Sequence, residues 1–176
     1  MNIRWVKYLG ILSVILFFVI VFIVSMYNPW FSITKDAYSD LGTPKASHMR
    51  IYNYGIIFVV MPLMFIFSLY LIYVAENKVQ TVGGAFILVA SMFIALIGIY
   101  YKGTKPHDFV ALWFFIQYFL GILVYCLGAK RGKWLGVSLF LLFWLGFVLP
   151  FPSIALAETY ALVLIAIFTM YIALKT

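Results

Sequence analysis

The sequence predicts an all-α polytopic membrane protein: one bundle of six transmembrane helices, with both termini in the cytoplasm. Three observations predict it. The chain is 66% hydrophobic and only 10% charged over 176 residues, and its mean hydropathy is +1.12. A soluble domain of this size has too little interior to hide that much apolar surface, so lipid is the expected solvent. The apolar residues also fall into six runs, most near the roughly 20 residues a spanning helix needs, separated by short polar turns. Finally, the cations divide unevenly between the two sides those runs define.

The first span is expected over residues 5–27. Arg4 and Lys7 precede it, but the run is long for a signal-peptide core and ends Val24-Ser25-Met26-Tyr27 without a small-x-small site. It therefore reads as a retained signal anchor. The longest loop, 28–50, follows. The second span, 51–75, carries Pro62 near its middle, where a kink is expected. A turn at Glu76-Asn77-Lys78 leads to the third span, 81–101. Gly103 and Pro106 punctuate the next turn before the fourth span, 108–129. The basic turn Lys130-Arg131-Gly132-Lys133 precedes the fifth, 134–149. Pro150-Phe151-Pro152-Ser153 ends it, and the sixth covers 158–174. None of these runs alternates apolar with polar residues, which argues against barrel strands. Residues 1–176 read as a single membrane domain with no convincing internal repeat.

Seven cations (Arg4, Lys7, Lys78, Lys130, Arg131, Lys133, Lys175) fall on one side and five (Lys35, Lys45, Arg50, Lys102, Lys105) on the other. The excess places the first side in the cytoplasm. The net charge of +7 is scattered among short loops. Anionic lipid headgroups, not nucleic acid, are its expected counterpart. The lone Cys126 excludes an intrachain disulfide and a CxxC site.

Five carboxylates and two histidines are the chain's whole complement of acid–base groups in the ordinary range, and all except Glu76 fall on the outer side: Asp36, Asp40, His48, His107, Asp108 and Glu158. Part of this has a cheap cause. The second, fourth and sixth helices all begin at that face, and helix N-termini select acids and hydroxyls. Capping does not ask for histidine, however. His48 stands before the second helix and His107 before the fourth. Asp40, His107, Asp108 and Glu158 are the candidate acid–base residues. His48, His107 and Asp40 are the candidate ligands for a divalent metal such as Zn. No HxH, HxxxH or HExxH spacing sets both histidines on one helix face, so this set depends on tertiary convergence. Histidines that merely hydrogen-bond interfacial loops are the alternative. Ser39, Lys45, Arg50, Asn53 and Lys105 are candidate binding residues, the cations for a lipid phosphate. Ordinary snorkelling at a headgroup surface would also explain those cations. No ionisable residue lies deep in a span, which argues against an ion-driven pump.

The segments Tyr38-Ser39-Asp40-Leu41-Gly42, Asn53 with Gly55, Gly98-Ile99-Tyr100, His107-Asp108-Phe109-Val110-Ala111 and Phe114-Phe115 together resemble the domain of unknown function 998 family. The resemblance covers most of the chain. It implies a small six-helix membrane protein, with Glu158 where that family often has an acid opening the last helix. The chain departs from the family pattern at Tyr101-Lys102-Gly103-Thr104-Lys105, which stands in place of a more usual proline-containing stretch. The family carries no established activity.

Three functional readings follow. One is a lipid-directed, metal-assisted hydrolase of the cell membrane. Another is a non-catalytic protein that binds lipid or a small solute or scaffolds other membrane proteins. The third is a small transporter or channel. Membrane lipids are the expected partners in each, together with a second copy of the chain or another membrane protein.

Overall fold

The computed structural model describes residues 3–175, and every regular element among them is helical. A 3₁₀ turn over Ile3–Tyr8 runs into α1, Leu9–Met26. Helix α2 spans Met49–Tyr73, α3 Lys78–Ile99, α4 His107–Gly128, α5 Lys133–Leu145 and α6 Ile154–Lys175. Five of the six are long and apolar enough to cross a membrane. The exception is α5: its 13 residues reach only about 20 Å, against a hydrocarbon core of about 30 Å.

The helices form a ring. Each packs on the next along the chain, and α6 returns to lie against α1. Phe67, Phe119, Ile122, Ile165 and Phe168 fill the centre and are fully buried. The outside is just as apolar, with Phe22, Phe58, Tyr73 and Leu174 well exposed. An apolar centre inside an apolar periphery is the arrangement lipid demands and water penalises.

Local chemistry explains the element ends. Asn28 is buried where α1 stops. Its Nδ2 donates to the Val24 and Ser47 carbonyls, while its Oδ1 accepts from Ser47 N–H and Trp30 Nε1–H. All four hydrogen-bonding capacities of the amide are therefore used, and the 28–48 loop is pinned to the helix end. At the opposite end of the bundle Asn77 caps α3 by accepting the Gln80 N–H, and its Nδ2 holds the last carbonyl of α4 at Gly128. Pro62 does not simply kink α2. The preceding residues, Ile56–Val60, widen into a π turn, with Met61 N–H bonded to the Ile56 carbonyl. Proline supplies no N–H for the Phe58 carbonyl and its ring crowds that group, and a wider turn relieves both. The α3–α4 pair packs most closely of all, because Gly83 lies directly on the Tyr125 backbone and Gly121 on the Gly83 carbonyl.

Helix α6 begins at Ile154, four residues before the expected Glu158. Ser153 explains the earlier start: its Oγ accepts the Leu156 N–H and donates to the Ile33 carbonyl. Glu158 therefore stands one turn inside the helix and does not cap it.

A buried polar chamber beside an apolar cavity

The polar groups gather where the 28–48 loop meets the first turns of α2, α4 and α6. Within that loop Tyr38–Gly42 forms a short 3₁₀ turn. Tyr38 is its anchor. Its ring packs edge-on against Phe17 at 5.6 Å and stacks on Phe31 at 6.2 Å. Its hydroxyl meets Thr159 Oγ1 at 2.7 Å. The Thr159 proton is already donated to the Ala155 carbonyl, so the Tyr38 hydroxyl is the donor. Burial pushes the Tyr38 phenol above its ordinary pKa; the Thr159 bond opposes this and the nearby Glu158 charge adds to it.

The Tyr38 backbone N–H donates to Glu158 Oε2 at 2.9 Å. Glu158 thus reaches across the bundle to a residue 120 positions away. Asp40 holds the same turn from the other side. Its Oδ2 accepts the Ala37 N–H and the Lys102 ammonium, each at 2.8 Å. Lys102 comes from the α3–α4 turn, so this pair ties two loops together. Both Lys102 and Asp40 stand within electrostatic reach of Glu158.

His107 opens α4 and is only 4% exposed. Its Nδ1 lies 2.7 Å from the Tyr100 carbonyl. A carbonyl only accepts, so Nδ1 carries the proton and the ring orientation is fixed. Nε2 has no hydrogen-bond partner among the described residues.

Two cavities meet at this place. The smaller, about 40 Å³, is lined by Ser39, Tyr52, His107 and Glu158 among apolar neighbours from α1, α2, α3, α4 and α6. The Ser39 and Tyr52 hydroxyls have no partner among the described residues. That volume admits a water or a small polar group. The larger cavity, about 230 Å³, lies between α4, α6 and the end of α5, and its lining is apolar except for Glu158 and the Tyr160 hydroxyl. Ala111, Phe115 and Glu158 form the wall common to both. Leu112, Phe147 and Ile154 at the rim of the larger cavity are exposed, so it opens through the side of the bundle.

Of the residues the sequence singled out, the chamber brings together Ser39, His107 and Glu158, and Asp40 holds the 3₁₀ turn that carries Ser39. The others are elsewhere. His48 is exposed, in a left-handed conformation at φ 61° before α2, with its ring 4.5 Å from that of Tyr27. Asp108 is exposed in the first turn of α4. Lys45 sits 4.0 Å above the Trp30 ring, and Arg50 and Lys105 point to the surface. Asn53 is buried, and its Nδ2 donates to the Gly42 carbonyl, bracing the loop against α2. No three His, Cys, Asp or Glu side chains among the described residues are placed together as a metal-ligand group. Tyr52 and Lys102 are site residues outside the candidate set. The position of Tyr52, one residue before Asn53 in the first turns below the loop, was the available signal for it.

The fold and this chamber define a class: a helical bundle of the membrane-protein kind, closed around an apolar centre, with a small polar chamber buried at one end. The family model described as "Protein of unknown function (DUF998)" matches residues 11–175, and the chain belongs to that family. No curated protein and no solved structure matches it.

Proposed function

We propose that the chain is a multi-pass protein of the cell membrane, crossing it six times with both termini in the cytoplasm, that binds an amphipathic, lipid-like molecule. The apolar part of the ligand occupies the 230 Å³ cavity and its polar end reaches the His107 chamber. The observation that carries this reading is that Ala111, Phe115 and Glu158 line both an apolar cavity opening sideways and, directly behind it, a chamber with unpartnered polar groups. A soluble metabolite has no need of the first cavity and a plain hydrocarbon no need of the second. The cation excess at the opposite end of the bundle supports a chamber on the outer side. The short α5 crosses with the help of its exposed apolar extension, Phe147 and Val148.

Native mass spectrometry of the purified protein with a dodecyl amphiphile tests this. Ala157→Phe fills the apolar cavity and is expected to lower occupancy about tenfold, a cost of about 1.4 kcal/mol. Val163→Phe, on the exposed face of α6, is expected to leave occupancy unchanged. Equal occupancy in all three proteins would remove the cavity as the binding site.

One observation favours a second reading, hydrolysis of the bound lipid. His107 presents an unengaged Nε2 to a chamber that also holds the Ser39 hydroxyl and Glu158, with room for a water. His107 would accept the water's proton, and Glu158 would act as its acid–base partner. A metal-assisted form of this reading takes His48, His107 and Asp40 as ligands. Elemental analysis of the wild type beside His48→Ala and His107→Ala tests that form: stoichiometric metal lost in both variants supports it, and metal retained in His48→Ala removes His48 from the set.

A further inference from the structure

The charge balance around the chamber narrows the kind of molecule it accepts, given that an amphiphile binds there. Two carboxylates, Asp40 and Glu158, stand at this end of the interior. One ammonium, that of Lys102, is within electrostatic reach of both, and it is already engaged by Asp40 at 2.8 Å. Glu158 has one partner among the described residues, the Tyr38 N–H on Oε2, which leaves Oε1 to the chamber. His107 adds an Nε2 whose lone pair is available, because Nδ1 carries the proton. Ser39 and Tyr52 supply hydroxyls that both donate and accept. The chamber is therefore rich in acceptors and lacks a free cation. Lys35, Lys45, Arg50 and Lys105, the other cations at this end, are at the exposed surface and do not line it.

An anionic head brings only acceptors to a site where Glu158 Oε1 and His107 Nε2 are themselves without a donor, and it finds no free cation to pair with. A head that donates hydrogen bonds would instead satisfy Glu158 Oε1 and His107 Nε2 together. We infer that the chamber selects amphiphiles whose polar end is a hydrogen-bond donor, a primary ammonium above all, and rejects carboxylate and phosphate heads. The 230 Å³ cavity then takes a single chain of such a long-chain amine.

This selectivity rests on the binding site proposed above, and one experiment separates the two. The protein in nanodiscs is crosslinked with a dodecyl probe bearing a chain-terminal diazirine, and crosslinked residues are mapped by mass spectrometry. Dodecylamine, dodecanol and dodecanoate are then titrated as competitors. Dodecylamine is expected to suppress crosslinks at Ala111, Phe115 and Ala157 at about tenfold lower concentration than dodecanoate, with dodecanol between. Glu158→Gln, which retains an acceptor for the Tyr38 N–H, is expected to bring amine and carboxylate within about twofold of each other. Dodecanoate competing as well as dodecylamine in the wild type overturns the selectivity and leaves the cavity intact as a binding site. Crosslinks confined to outward-facing residues such as Phe22 and Phe58 overturn the site and the selectivity together.

Discussion

At the scale of single residues, Glu158 is the side chain that links the 28–48 loop to both cavities. It is the acceptor for the Tyr38 N–H, and it is the one acidic residue lining both cavities. Glu158→Ala leaves that N–H without a partner in a largely apolar setting and is expected to cost about 1–3 kcal/mol. Glu158→Gln keeps an acceptor and is expected to cost less, both measured by thermal unfolding in one detergent. The Asp40–Lys102 pair gives a sharper comparison, because its two members differ in duty. Lys102 contributes a partly exposed ion pair, so Lys102→Met is expected to cost no more than about 1 kcal/mol. Asp40 also holds the Ala37 N–H, so Asp40→Ala is expected to cost more than Lys102→Met. A reversed order would show that the 3₁₀ turn does not depend on Asp40. Ser39 makes no side-chain hydrogen bond among the described residues, so Ser39→Ala is expected to change ligand occupancy and leave the melting temperature alone.

At the scale of elements, what could be read from sequence follows the range of the interactions. The helical runs were legible because lipid burial imposes long uninterrupted apolar segments, and α2, α3 and α4 lie within a few residues of their expected bounds. The start of α6 was not. Ser153 and Glu158 are both plausible openers in isolation. What decides between them is the engagement of each with the 28–48 loop, Ser153 with the Ile33 carbonyl and Glu158 with the Tyr38 N–H, both 120 positions away. His48 does not line the chamber that holds His107, for a similar reason. His48 is used where the loop turns into α2 in a left-handed conformation, and its ring is occupied by Tyr27. Ser39, His107 and Glu158 were legible because so apolar a chain offers few alternatives. Tyr52 was hidden among thirteen tyrosines. The α3–α4 pair also yields a prediction. Gly83→Leu drives a side chain into the Tyr125 backbone and is expected to cost about 3 kcal/mol or more, seen as loss of monodisperse protein. Gly103 meets nothing within 4 Å, and only its φ of +96° resists a side chain. Gly103→Ala is therefore expected to cost about 1–2 kcal/mol.

At the scale of the whole molecule, the two ends of the bundle differ in kind. One carries the loop, the chamber and most of the acids. The other carries the Lys130-Arg131-Lys133 turn, where Tyr171 and Lys175 bond the Arg131 carbonyl. That asymmetry predicts orientation. In a Cys126→Ala background, Lys45→Cys is expected to react with an impermeant maleimide on intact cells, and Lys130→Cys only after permeabilisation. Labelling of both in intact cells, or the reverse pattern, would contradict the assignment. The central claim is that the apolar cavity and the His107 chamber together hold one amphipathic molecule. An experimental structure of the protein in lipid nanodiscs, resolved well enough to see bound ligand, tests it most directly. The account predicts continuous density running from the rim at Leu112 and Phe147, past Ala111 and Phe115, to end against Glu158 and His107. Density confined to the lipid around Phe22 and Phe58, with water alone beside His107, would contradict it.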